Sequence, residues 1–146
     1  MKYYIAYGSN LNKAQMARRC KYASPVGSAI LSGLKLVFRR GYLTIERDDD
    51  GFVPVGIWQI MDSDELALDR YEGFPHFYRK ETLPVSFMDA SGAMHVDEPC
   101  MVYIMNDGYG IQRGSREYLQ TCAQGYRDFG FGLLPLMDAD LEAAGA

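Results

Sequence analysis

Residues 3–11 read Tyr-Tyr-Ile-Ala-Tyr-Gly-Ser-Asn-Leu, and this stretch decides how the chain begins to fold. Aromatic and β-branched residues predominate over residues 2–6, which predicts a β-strand. Gly8-Ser9-Asn10 interrupts that pattern, and residues 12–20 have a helix-favouring composition. The sequence therefore predicts a strand, a glycine-containing loop and a helix in immediate succession.

The chain that follows alternates short apolar runs with turn residues. Glycines separate the first runs, and Asp48-Asp49-Asp50-Gly51 predicts a hairpin turn. Strands are predicted near 26–31, 34–39, 42–46, 53–60, 77–87 and 99–105. One helix is predicted from Asp62 to about Tyr71 and ended by Gly73, and another over 116–128 and capped by Ser115.

Many short strands, one central helix and a helix near each end predict an α+β fold. The number of glycine corners in so short a chain favours a small closed or nearly closed barrel, flanked by helices, over an open sheet. The sequence contains no repeat and no linker long enough to separate domains. We therefore predict a single domain over residues 1–146, with 135–146 as a peripheral tail.

The net charge makes an anionic binding partner less favourable. A formal charge of -4 and a pI near 5.1 disfavour a surface for nucleic acid or anionic membrane. The basic cluster at Lys13, Arg18, Arg19 and Lys21 is better explained as a solvated helix face than as a phosphate site.

The number and spacing of the three cysteines indicate the redox environment of the protein. Cys20, Cys100 and Cys122 are odd in number and form no CxxC spacing. This favours free, buried thiols in a reducing cytoplasm. The first ten residues lack the apolar stretch of a signal peptide, and no run approaches the ~20 apolar residues of a membrane span.

The loop at Gly8 is the first candidate site. Glycine between a strand and a helix lets the backbone turn sharply and approach a ligand, and the N–H groups at the helix start then form a concave anion site. Alternatively, Ser9 or Asn10 caps the following helix. The segment is not a P-loop, because the second glycine and the Lys-Ser/Thr pair are missing.

The second candidate is Glu72, in Leu-Asp-Arg-Tyr-Glu-Gly-Phe-Pro over residues 68–75. The negative end of a helix dipole disfavours an anion at this position, and burial by neighbouring aromatic residues would act in the same direction. Both effects raise the expected pKa of Glu72 towards the range useful for general acid–base catalysis. The alternative is a surface glutamate that pairs with Arg70 or Arg79.

Together these motifs resemble the γ-glutamylcyclotransferase family, including its AIG2-like and γ-glutamylamine cyclotransferase branches. The matching segments are YYIAYGSNL, LDRYEGFPHFYRK, and VYIM followed by SREYLQTCAQGYRDFGF, which span roughly residues 3–131. The resemblance implies a small mixed β-barrel flanked by helices. It also implies cyclisation of a γ-glutamyl group to 5-oxoproline, without a metal or organic cofactor.

The resemblance also implies roles for individual residues. Glu72 matches the catalytic glutamate, and Tyr118 matches a pocket tyrosine. The loop that holds the glutamyl portion of the substrate corresponds to Tyr4, Ile5, Ala6, Tyr7, Gly8 and Ser9, and two aromatic positions near the cavity correspond to Tyr78 and Tyr103. The segment from Glu72 to Tyr78 is about one residue shorter than in some members, and Gly114-Ser115 replaces a Pro-Ser helix start.

Other kinds of site have less support in the sequence. His76 and His95 stand without cysteines or carboxylates at zinc-ligand spacing, Asp48–Asp50 lacks the remaining ligands of a calcium loop, and no GxSxG motif is present. Two other functions stay open, a non-catalytic domain that binds a small acid and an amide hydrolase in which the carboxylate activates water. The expected partner is a small-molecule γ-glutamyl substrate, and the chain is expected to be a monomer or homodimer.

Overall fold

The computed structural model describes residues 1–146, which form five strands and four α-helices. The strands are β1 (Lys2–Ala6), β2 (Ser24–Arg39), β3 (Tyr42–Ile60), β4 (Tyr78–Met88) and β5 (Met94–Met105). The helices are α1 (Lys13–Arg19), α2 (Asp62–Glu72), α3 (Arg116–Asp128) and α4 (Leu134–Ala144), and a single 3-10 turn covers Ser9–Leu11. No helix is both long enough and apolar enough to span a membrane.

The short strand β1 lies at the centre of the sheet. The strand order is β2-β3-β1-β5-β4, in which β1 runs antiparallel to β3 and parallel to β5. Successive side chains of a strand point to opposite faces, and because Tyr4, Ile5 and Ala6 are all buried, β1 is covered on both faces. The 3-10 turn that follows β1 stays close to the core, since all three of its residues are buried.

The predicted α+β class is confirmed, whereas the term barrel applies only loosely. The two edge strands β2 and β4 approach each other where a Cβ added to Gly27 would lie 3.1 Å from the carbonyl oxygen of Met88. No ladder of hydrogen bonds joins these edges, so the sheet is strongly curved but not closed.

The prediction of a hairpin turn at 48–51 was wrong. These residues lie within β3, where the register with β2 jumps from Ser32–Phe52 to Leu34–Arg47 and the extra residues form a bulge. The hairpin turn is instead at Arg40-Gly41, whose φ angles are 52° and 85°. Two consecutive positive φ angles suit the twist of a two-residue hairpin, so β2 and β3 form one long hairpin rather than four short strands.

Side chains cap the starts of two helices, and apolar packing fixes the last helix. Ser115 caps α3 as predicted, since its Oγ accepts a hydrogen bond from the N–H of Tyr118 at 3.1 Å. The carboxylate of Asp64 accepts from the N–H of Met61 at 3.0 Å at the start of α2. α4 packs against β2 through one buried face formed by Leu136, Ala139 and Ala143.

Candidate active site

A cavity of about 350 Å³ opens where the turn after β1 meets the end of α2. Half of its lining residues are aromatic, and its charged lining residues are Arg70 and Glu72. The remaining lining residues are Tyr4, Ile5, Tyr7, Gly8, Ser9, Asn10, Tyr42, Leu43, Tyr71, Gly73, Phe77, Tyr78, Tyr103 and Tyr118.

The substrate-binding residues named from the sequence lie around this cavity, with one exception. Ala6 is buried in β1 opposite Gly56 and is not part of the lining. The others come from distant parts of the chain, since β1 and its turn supply the first group, β4 supplies Tyr78 and α3 supplies Tyr118. The position of β1 at the centre of the sheet brings these elements together.

Glu72 is the last residue of α2, and Gly73 ends the helix in the left-handed conformation with φ 64°. The surface pairing considered from the sequence is not present. Arg79 pairs with Glu81 at 2.7 Å, and Glu72 takes part in no ion pair. Glu72 therefore lines the cavity without a directly contacting cation.

The environment of Glu72 shifts its proton affinity. Burial raises the pKa of Glu72 to about 7, and the nearby positive charge of Arg19 acts in the opposite direction. A carboxyl group with this pKa exchanges protons readily at neutral pH, as a general acid–base group must.

The tyrosine hydroxyls of the wall are held by backbone groups. Tyr7 donates to the carbonyl oxygen of Tyr103 and Tyr78 to that of Leu43, each at 2.7 Å. Tyr118 accepts from the N–H of Leu43 at 3.1 Å. Burial raises the pKa of Tyr7, Tyr78 and Tyr118, so these phenols stay neutral and form a rigid wall.

The turn at Gly8 supplies space rather than a left-handed conformation. Gly8 has a φ of -135°, but an added Cβ would lie 3.3 Å from Cδ1 of Leu43 and 3.4 Å from the Tyr118 hydroxyl. The turn's own hydrogen bonds use the N–H groups of Leu11 and Asn12. Those of Ser9 and Asn10 consequently have no partner within the turn.

The capping alternative for Ser9 and Asn10 is not what the structure shows. Asn12 caps α1 by accepting from the N–H of Gln15 at 3.0 Å. The hydroxyl of Ser9 instead shares a hydrogen bond with that of Tyr71 at 2.8 Å, which ties the turn to the end of α2.

Two residues that contact or influence Glu72 were missed from the sequence. Nδ2 of Asn10 donates to Oε1 of Glu72 at 3.2 Å, and the guanidinium of Arg19 donates to Oδ1 of Asn10. The sequence predicts only a capping role for the Asn10 side chain, and only a place on a solvated helix face for Arg19. Asn10 had a local signal, its place in the Gly-Ser-Asn loop, whereas nothing around Arg19 in the sequence indicates this contact.

No group of three or more His, Cys, Asp or Glu side chains is placed to hold a metal ion. His95 bonds Asp89 at 2.8 Å and stacks on Phe87, within the β4–β5 hairpin. The three cysteines are free and buried, and burial raises the pKa of Cys122 to about 12, which disfavours a thiolate nucleophile.

The family model described as gamma-glutamyl cyclotransferase, AIG2-like, matches residues 4–124. A direct sequence comparison with curated proteins gives no match. Among solved structures, one described as a gamma-glutamyl cyclotransferase superimposes with a TM-score of 0.73 at 23% identity, covering 98% of this chain and 86% of that chain. An uncharacterized protein from Homo sapiens gives the same TM-score and coverage at 24% identity.

An AIG2-like protein from Mus musculus has a TM-score of 0.56 at 17% identity, covering 82% of each chain. Identities this low show a shared fold only. The family assignment rests on the match over residues 4–124.

Proposed function

This chain belongs to the AIG2-like γ-glutamyl cyclotransferase family, and we propose that it cyclises the γ-glutamyl group of an amine or amino acid to 5-oxoproline and releases the amine. The observation that carries the proposal is the state of Glu72. Its carboxyl group lines a cavity, lacks an ion-pair partner and has a pKa raised to about 7 by burial.

The reaction needs one proton shuttle and no external nucleophile. The α-amine of the substrate attacks its own γ-carbonyl carbon, which forms the ring C–N bond. Glu72 accepts a proton from that amine and returns it to the leaving nitrogen as the original amide bond breaks. One group near neutral pKa serves both steps, because it is present as base and acid in comparable amounts at pH 7.

The shape of the cavity supports the cyclisation. A volume of about 350 Å³ is at the small end of ligand pockets and suits one glutamyl group with part of its leaving group. The tyrosine wall is fixed by hydrogen bonds to backbone carbonyls, so it restricts the glutamyl chain to compact conformations. Holding the amine and the carbonyl in a near-attack geometry lowers the barrier to ring closure.

The turn after β1 suits the charged parts of the substrate. The N–H groups of Ser9 and Asn10 have no partner within the turn and are candidates to bind the α-carboxylate or the developing oxyanion. Gly8 keeps the space in front of Leu43 and Tyr118 open.

The same proposal covers cofactor, partner and location. The chemistry uses no metal or organic cofactor, so dialysis against a chelator is expected to leave turnover unchanged. The partner is a small γ-glutamyl compound. Three free, buried cysteines support a reducing, cytoplasmic setting.

Identification of the product tests the proposal. A panel of γ-glutamyl amines and amino acids is incubated with the protein in ¹⁸O-labelled water, and the products are resolved by mass spectrometry. Unlabelled 5-oxoproline plus the free amine is expected, and N-acetylation of the α-amine is expected to stop the reaction.

Two results would overturn the assignment in different ways. Glutamate carrying ¹⁸O would identify an amide hydrolase in which Glu72 activates water. Binding of γ-glutamyl compounds without any product would identify a non-catalytic binding domain.

A further inference from the structure

Asn10 contacts Glu72 directly, and both the NH₂ group and the oxygen of its side-chain amide form hydrogen bonds. Nδ2 donates to the Tyr4 hydroxyl at 2.8 Å and to Oε1 of Glu72 at 3.2 Å, while Oδ1 accepts from Arg19 at 2.5 Å. Asn10 is only 3% exposed, so no water competes freely for these bonds. The amide is therefore fixed in one position.

Arg19 determines which end of this amide faces Glu72. A guanidinium group has five donors and no acceptor, so the atom of Asn10 that meets Arg19 must be the oxygen. The NH₂ group must then point towards Tyr4 and Glu72. Arg19 itself is held by Gln15 at 3.1 Å and lies over the ring of Tyr71 at 3.5 Å.

The two oxygens of Glu72 are consequently different. Oε1 is held by Asn10, whereas Oε2 makes no hydrogen bond. The fully buried side-chain polar atoms without a partner are Trp58 Nε1 and Tyr126 OH, so Oε2 is not sealed inside the protein. Because Glu72 lines the cavity, the free oxygen is the one available to a ligand there.

We propose that Arg19 and Asn10 are positioning residues: Arg19 fixes the orientation of the Asn10 amide, and Asn10 holds one oxygen of Glu72 so that the other faces the substrate. The inference rests on the proposed function for its catalytic meaning, but the arrangement of the three side chains exists without substrate. The pair also favours the carboxylate over the acid, because Asn10 donates to it and Arg19 is positive.

Other titratable groups face Glu72 from every neighbouring element. They are Tyr4 on β1, Tyr7 in the turn after it, Tyr71 on α2, Tyr78 on β4 and Tyr118 on α3, and burial raises the pKa of each. These phenols are neutral near pH 7. Arg70 also lines the cavity, but Arg19 is the charged residue whose field lowers the pKa of Glu72.

The test compares two arginines on one helix. Arg19→Gln removes the cation that holds Asn10, whereas Arg18→Gln removes an exposed neighbouring cation with the same change in net charge. The Glu72 carboxyl is titrated by ¹³C NMR in both variants and in the unaltered chain, with the resonance assigned by its loss in Glu72→Gln. This measurement requires no turnover.

The pKa of Glu72 is expected to rise in Arg19→Gln by on the order of one unit and to stay in place in Arg18→Gln. For turnover, the acid limb of kcat/KM shifts by the same amount, so Arg19→Gln loses roughly tenfold at pH 6 but approaches the unaltered chain at pH 9. A merely structural defect would lower kcat/KM at every pH.

An unchanged Glu72 pKa in Arg19→Gln, or the same change of the Glu72 pKa in Arg19→Gln and Arg18→Gln, would overturn the proposal. If Arg19→Gln does not fold, Asn10→Asp takes its place, since it presents an oxygen instead of NH₂ to Glu72 and is expected to raise the Glu72 pKa further. An unshifted Glu72 in Asn10→Asp would equally overturn it. A shifted titration in a chain that forms no 5-oxoproline would leave this arrangement standing and remove only the proposed function.

Discussion

Glu65 and Glu72 are the same residue type on the same helix, two turns apart, but their surroundings differ. Glu65 lies in the first turn of α2 and pairs with Lys2 at 2.7 Å and Lys80 at 2.6 Å. Burial raises the pKa of Glu65, but hydrogen bonds from the two lysines outweigh it, and the net shift is downward.

Glu72, at the other end, has no ion pair, and burial raises its pKa to about 7. The helix dipole adds to the difference, since its positive end favours Glu65 and its negative end opposes Glu72. Helix α2 therefore carries an ion-paired carboxylate at one end and a carboxyl group suited to proton transfer at the other.

The largest expected effect is on turnover. Glu72→Gln keeps the shape of the side chain but cannot exchange the proton, and losing a general acid–base group costs about 10²–10⁴-fold in rate. Glu65→Gln is the matched control and is expected to stay near the rate of the unaltered chain. Initial rates of 5-oxoproline formation measure both. A Glu72→Gln variant within a factor of two of normal, with unchanged melting, would remove Glu72 from the mechanism.

Stability should respond to pH in opposite directions at the two ends. The pKa of Glu72 rises from 4.5 in the unfolded chain to about 7 in the fold, so its effect on unfolding free energy is lost as pH rises between these values. Glu72→Gln does not titrate. Its stability relative to the unaltered chain is therefore expected to increase by up to about 3 kcal/mol between pH 4.5 and 8.

Urea denaturation of both proteins at a series of pH values measures how the difference in their unfolding free energy changes with pH. A constant offset between Glu72→Gln and the unaltered chain across that range would mean that Glu72 is ionised normally in the fold.

A smaller effect is expected when the cavity itself is filled. Gly8→Val adds a branched side chain where a Cβ already meets Leu43 and Tyr118, so KM for a γ-glutamyl substrate should rise by about tenfold or more. Gly132→Val is the control, because nothing lies within 4 Å of a Cβ added there. Equal substrate affinity in Gly8→Val and Gly132→Val would separate the turn from the binding site.

The smallest expected effect is the change in stability when Glu65, at the ion-paired end of α2, loses its charge. Glu65→Gln removes two ion pairs but leaves Lys80 bonded to Asp69 at 2.8 Å, so the loss of stability near neutral pH should be about 1 kcal/mol or less. The pKa of Glu65 is lowered, so its contribution is present above the unfolded pKa and is lost as pH falls through the folded pKa. A loss that instead grew with rising pH would contradict the assignment of Glu65 as a paired carboxylate.

Structural elements with local sequence signals could be predicted from the sequence alone. Ser115 caps α3 because a serine hydroxyl reaches the N–H three residues on, and Gly73 ends α2 because glycine adopts a positive φ freely. The position of Glu72 at a helix C-terminus could also be predicted, because the residues that begin and end the helix are local signals, and they fix the direction of the helix dipole. The family resemblance then connected Glu72 to the turn at Gly8.

Features that depend on contacts between distant residues could not be predicted from the sequence and became visible in the fold. Residues 48–51 look like a turn, but pairing with β2 on both sides keeps them within β3 as a bulge. The two edge strands of the sheet approach each other without pairing. The positions of glycines in the sequence do not predict whether two edges pair. The contact of Arg19 with Asn10, and of Asn10 with Glu72, joins residues up to 62 positions apart. A pKa and a cavity belong to such sets of neighbours, because burial and charge act through space rather than along the chain.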